Sequence, residues 1–128
     1  MILVEGQEDV LCYPEVAAQL NKEFTGRFFG WGVGGAENMP VISNLLHDLG
    51  FAKVAGVLDR NKEDVAESLQ AQFPDYKFLT IPADDVRSKS ARPEEKEVIG
   101  LLDEKGQLGD EFREAADKLL DAVNDALK

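Results

Sequence analysis

Cysteine, histidine and tryptophan each occur once in this chain of 128 residues. A lone thiol, Cys12, closes no internal disulfide, and without a Cys/His cluster there is no zinc-ligand pattern, so a disulfide scaffold and a zinc fold are both disfavoured. Cys12 is expected as a small buried hydrophobe, and His47 as a solitary surface residue on a helix. No apolar run nears the roughly 20 residues of a bilayer-crossing helix. Ile2, Leu3 and Val4 meet Glu5 too soon for a signal peptide. The expectation is a cytoplasmic chain without membrane contact. Positive charge is scarce as well: 14 Lys and Arg stand against 25 Asp and Glu, a formal net charge of −11. Proteins that grip nucleic acid unaided present a basic face that releases counterions from phosphates. This chain has no obvious one, so any nucleic-acid role must be local, metal-assisted or dependent on another domain or subunit.

What is present suits one ordinary domain, since 44% hydrophobic and 30% charged residues at this length can close a single core. Ile2, Leu3 and Val4 read as a strand, followed by a turn and a helix over residues 9–21. Pro14 lies early in that helix, so its start is expected near Tyr13 or its first turn bent. Arg27, Phe28 and Phe29 suggest a second strand, and the glycine-rich GWGVGG (30–35) leads into a helix over 39–49 with Val41, Ile42, Leu45, Leu46 and Leu49 on one apolar face. Asn38 suits its N-cap and Gly50 its C-terminal stop. Residues 52–58 form a nearly unbroken apolar run, the pattern of a strand covered on both faces. A helix over 64–72 ends at Pro74, and residues 77–81 make a fourth strand. Strands alternating with helices predict an α/β fold with a four-stranded, mainly parallel sheet flanked by helices. Beyond Pro82 the chain turns polar, and helices are expected over 93–102 and 109–127, the last with Phe112, Ala116, Leu119, Val123 and Leu127 in a stripe that packs back on the sheet. This divides the chain into a core over 1–92 and a helical extension over 93–128.

In open parallel sheets, functional groups collect beyond the carboxyl ends of the strands. Those ends carry Glu5 and Asp9, the glycine loop, Asp59 and Asn61, and Asp84 and Asp85. Any one of these acids is more often a helix cap or a turn residue. Several at one edge are harder to dismiss, because like charges held close cost stability unless a cation neutralises them. An all-oxygen set of carboxylates and an amide suits Mg²⁺ or Mn²⁺.

VEGQED (4–9), the loop in FFGWGVGGAENMP (28–40) and GVLDRNK (56–62) resemble the Toprim domain, the metal-binding catalytic fold of topoisomerases, primases and related nucleases. With IPADDVRSK (81–89), the chain is most similar to the Toprim domains of overcoming-lysogenisation-defect (OLD) family nucleases, over residues 1–92 and the LLDEKGQL segment (101–108). The resemblance implies a Toprim/Rossmann-like fold and an Mg²⁺- or Mn²⁺-dependent endonuclease domain that nicks DNA by phosphodiester hydrolysis. Glu5 matches the glutamate that binds metal and can act in proton transfer, Asp9 the extra acid of OLD-type sites, and Asp59 the first acid of the DxD motif. Asn61 falls where the second acid belongs; an amide oxygen ligates Mg²⁺ but brings no charge, so metal affinity should be lower. Asp84, Asp85 and Lys89 lie in the loop implied to help a second metal or steady developing charge, giving Glu5, Asp59 and Lys89 as catalytic candidates and Glu5, Asp9, Asp59, Asn61 and Asp85 as metal ligands. Arg60, Lys62, Arg87, Lys89 and Arg92 would place phosphates without reading sequence. The implied partners are DNA, bound poorly by the isolated chain, and an ATPase domain or subunit.

Two other readings remain open. Gly30, Gly32 and Gly35 spell GxGxxG between a strand and a helix, with Asp59 near the distance of a ribose-binding acid, as in dinucleotide-binding domains. Against this, the motif follows the second strand, Trp31 is bulky where pyrophosphate would approach, and Glu5 and Asp9 are left without work. The other reading is a catalytically inactive module serving in protein assembly, suggested by Asn61 and the missing basic face.

Overall fold

In the computed structural model, which describes residues 1–89 and 96–128, four α-helices surround two small parallel sheets. The larger sheet has three strands in the order β1 (Ile2–Leu3), β2 (Ala55–Leu58) and β3 (Lys77–Thr80), with Ile2 opposite Ala55 and Gly56 opposite Phe78. Side chains alternate between two cores, as the two-residue period of a strand requires. Ile2, Val4, Ala55 and Val57 enter one, while Leu3, Leu58 and Phe78 enter the other. Helices α1 (Gln7–Gln19) and α4 (Arg113–Ala126) close the first core, and α2 (Met39–Asp48) and α3 (Glu63–Gln72) the second. All of β2 is buried, as its unbroken apolar run implied.

The α/β class with parallel strands holds, but the single four-stranded sheet does not. Residues 27–29 contribute one parallel bridge, Phe28 to Ile2, held by Ile2 N–H donating to Arg27 O at 2.6 Å and Phe29 N–H donating to Ile2 O at 2.9 Å. A two-residue β1 offers no further edge, and Gly30 then turns the chain at φ +48°. Strands β4 (Asp85–Arg87) and β5 (Gly100–Leu102) pair in parallel as a separate sheet where no strands were expected. Residues 93–95 of the expected 93–102 helix lie outside the described residues, as does Arg92; residues 96–102 are not helical, and Val98 bridges Lys89. A Cβ on Gly100 would collide with the backbone of Arg87, so this closely packed pair depends on glycine.

α1 starts earlier than Pro14 suggested, at Gln7, and carries the exposed proline within it. Its start is secured by Asp9, whose Oδ2 accepts from Gly6 N–H at 2.9 Å, the reach-back bond of a capping box. α4 packs back on the sheet, burying Ala116, Leu119, Leu120 and Val123. Lys22 binds Asp117 and Asp121, and Asn124 accepts from Thr25 N–H, so the turn after α1 is tied to α4. In α2 the buried line is Met39, Ser43 and Leu46; Val41, Leu45 and Leu49 are exposed. Cys12 is half-buried against the first core, and His47 is exposed, its ring near Phe73 and Tyr76. No helix among the described residues is long and apolar enough to cross a membrane.

Candidate metal centre

β1 and β2 are neighbours and run the same way, so the residues that follow them emerge side by side. Glu5 follows the apolar Ile2, Leu3 and Val4, and Asp59 follows Leu58; Glu5 Oε2 accepts from Asp59 N–H at 2.9 Å. The first turn of α1 adds Glu8 and Asp9, and the start of β4 adds Asp85. Glu5, Gly6, Gln7, Glu8, Asp9, Asp59, Asp85 and Lys89 line one cleft of about 340 Å³. Within it, one carboxylate oxygen from each of Asp9, Asp59 and Asp85 lies within 4.8 Å of the others.

The electrostatics of the cleft are unfavourable for bare carboxylates. Burial, then the charge and hydrogen bonding of Glu5, with Asp85 and Asp9 adding repulsion, push the Asp59 carboxyl up to about 8. Asp9, only 7% exposed, is raised to about 6 by burial, with Asp85, Glu5 and Glu8 adding to the effect and the Gly6 amide opposing it. The positive charge at the rim is Lys89, whose Nζ lies 3.0 Å from Asp85 Oδ2 and 3.1 Å from Glu8 Oε2. Asp85 Oδ1 meanwhile accepts from Val86 N–H at 2.7 Å.

The donor chemistry fits a hard divalent cation. Opposite ligands of a six-coordinate Mg²⁺ stand roughly 4.2 Å apart at 2.1 Å from the ion. The Asp9, Asp59 and Asp85 oxygens, all within 4.8 Å of one another, would have to draw together to share one ion, and all donors are oxygen.

Five sequence candidates therefore meet in the cleft: Glu5, Asp9, Asp59, Asp85 and Lys89. Asn61 does not join its lining; it sits exposed in the 3-10 turn Arg60–Lys62. Asp84 turns elsewhere, pairing with Arg60 and accepting from Ile99 N–H at 3.2 Å. Arg87 donates to Glu104 O at 2.9 Å and, with Glu8, Ser88, Lys89 and Glu104, lines a second hollow of about 430 Å³ that shares Glu8 and Lys89 with the first. Glu8 is the charged cleft residue absent from the sequence candidates, with Gly6 and Gln7 beside it. Starting the helix at Gln7, as the Gly6 and Asp9 capping pattern allows, would have put Glu8 in its first turn beside Asp9.

No protein-family model, curated protein or solved structure matches this chain.

Proposed function

We propose that the cleft binds Mg²⁺ or Mn²⁺ and that the chain is a Toprim-like, OLD-type nuclease domain acting on phosphodiesters in DNA. The observation that carries this reading is the meeting of Asp9, Asp59 and Asp85 oxygens, with Glu5 hydrogen-bonded across to Asp59, from three separated parts of the sequence. A divalent ion bound there would polarise a phosphoryl oxygen and lower the pKa of bound water. Asp9, Asp59 and Asp85 would hold it. Glu5 keeps one carboxylate oxygen on the Asp59 backbone N–H, and its other oxygen would serve ligation or proton transfer. Lys89, at the rim between Glu8 and Asp85, stands where an incoming phosphate would meet positive charge. Asn61 lies exposed in the turn that follows Asp59 and takes no part in the proposed site.

The dinucleotide reading is less well supported. Gly32, Val33, Gly34 and Gly35 already donate their amides to Phe29 O, Val4 O and Glu5 O, which leaves few for a pyrophosphate. The assembly-module reading gains from one observation, the exposed line of Val41 and Leu45 on α2 and Leu49 at its C-cap.

The test is nicking of supercoiled plasmid with Mn²⁺ by the wild type and by Glu5→Gln, beside direct Mn²⁺ titration by electron paramagnetic resonance. We expect metal-dependent nicks at high protein concentration, lost in the variant. Absence of nicking, or equal nicking by both proteins, argues against the enzymatic reading; a titration without binding removes the metal site as well.

A further inference from the structure

The glycine loop is the one prominent sequence motif to which the metal reading gives no task. Beyond Leu3, the main chain of Val4, Glu5 and Gly6 leaves the paired part of β1, and the Val4 and Glu5 carbonyls find partners in this loop. Val33 N–H donates to Val4 O at 2.9 Å, while Gly34 N–H and Gly35 N–H both donate to Glu5 O, at 3.0 and 2.8 Å. The loop is itself pinned to the start of α2, because Asn38 Nδ2 donates to Gly34 O at 2.9 Å. Gly32 lies flat against Gly6: a Cβ there would stand 2.7 Å from Gly6 C, 2.7 Å from its Cα and 2.8 Å from its N, and Gly32 also has φ +89°. The obstacle is backbone, which cannot swing aside as the end of a side chain can.

Those same residues carry the acids. Glu5 reaches Asp59 N–H through its side chain, and Gly6 N–H holds the Asp9 carboxylate, so Gly6 is gripped between Asp9 on one side and Gly32 on the other. We propose that the glycine loop is a clamp on the acid centre, with Gly32 a positioning residue that acts through the Glu5 and Gly6 main chain to set where the Glu5 and Asp9 carboxylates stand. The functional consequence, tuning of metal affinity, rests on the metal reading; the clamp itself does not.

A matched control exists within the chain. Gly50 has φ +85°, nearly that of Gly32, but a Cβ on it meets nothing within 4 Å, and it lies outside the acid cleft. Gly50→Ala therefore carries the conformational cost of a positive φ without the collision. The experiment compares Gly32→Ala, Gly50→Ala and wild type by Mn²⁺ titration, thermal melting and amide NMR. Both variants should melt earlier. Only Gly32→Ala should shift the Gly6 and Asp59 amide resonances and weaken Mn²⁺ binding by about tenfold or more, the usual effect of disturbing groups that orient ligands. A folded Gly32→Ala with wild-type Gly6 and Asp59 resonances overturns the clamp. So does a folded Gly32→Ala whose Mn²⁺ affinity equals that of Gly50→Ala. If the wild type binds no Mn²⁺, the metal reading fails, and the amide resonances alone decide the clamp. Hydrogen exchange on the wild type covers the case in which Gly32→Ala does not fold. The Gly34 and Gly35 amides should then be protected to the same degree as those of Gly6 and Asp59, and free exchange of the glycine pair beside a protected Asp59 refutes the proposal.

Discussion

Lys89 touches both charge states of the cleft, and the consequence of removing it has two signs. Its ammonium lies against the Asp85 carboxylate, a member of the acid group, and against Glu8. In the protein without substrate it competes with an incoming cation. Lys89→Gln should therefore bind Mn²⁺ several-fold more tightly than wild type, because neighbouring like charges repel and exposed pairs of this kind add only about 0–1 kcal/mol of stability to be lost. On the proposed nuclease reading the same change should lower nicking when DNA is present, since a phosphate loses its positive neighbour. Titration and cleavage on one preparation check both, and a variant that binds Mn²⁺ less tightly would place the lysine outside the electrostatics of the site. Glu5, Asp9, Asp59 and Asp85 were legible as acids in the segments that follow the strands, and Lys89 only through the resemblance. Which oxygen faces which was not legible, nor was the departure of Asp84 to Arg60, one residue from Asp85 in the chain. Adjacent residues entering a strand point to opposite sides, and the sequence does not state the register of a strand only three residues long.

At the scale of elements, α2 gives the plainest contrast. Five apolar residues were read as one face, but the sheet accepts a narrower line: Leu46 is 3% exposed and Leu45 46%. Leu46→Ala should cost about 2–5 kcal/mol, the range for a truncated core leucine. Leu45→Ala should cost no more than about 0.5 kcal/mol, as at most surface positions. Urea unfolding measures both, and equal losses would mean that Leu45 is packed. Hydrophobic periodicity reports that a helix has an apolar side, not how much of that side its neighbours cover. The same limit explains β5. Val98, Ile99, Leu101 and Leu102 satisfy a helical spacing, yet Gly100 between them lets the chain lie close against Arg87 as a strand. A long periodic segment such as α4 is legible because the stripe of Phe112, Ala116, Leu119, Val123 and Leu127, running from its N-cap to its C-cap, repeats often enough to exclude a strand.

For the whole molecule, the acid centre makes stability depend on pH in a stated direction. Asp59 titrates near 8 and Asp9 near 6 in the folded protein, against 3.8 for an ordinary aspartate. Through that window the folded state holds protons that the unfolded state has released, so stability falls as pH rises from about 4 to about 8 and then levels. The net charge of −11 adds self-repulsion in the same sense. Melting temperature in chelator should therefore drop from about pH 5.5 to about pH 8.5, and Asp59→Asn should flatten the drop. Mn²⁺ should raise the melting temperature more at the higher pH, because ligation requires the carboxylates to shed their protons. A wild-type melting temperature constant across that range would remove the basis for a strained acid centre.

The order of residues by itself determined the α/β class, the buried β2, the positions of most helices and the presence of acids at strand ends, because these follow from local spacing and composition. Only the folded chain decided that β4 and β5 form a sheet of their own, that Glu8 enters the cleft while Asn61 stays outside its lining, and that the glycine loop lies against Gly6. Each of these depends on contacts between segments far apart in the chain, whose distances are set by packing and register rather than by any property of a single stretch.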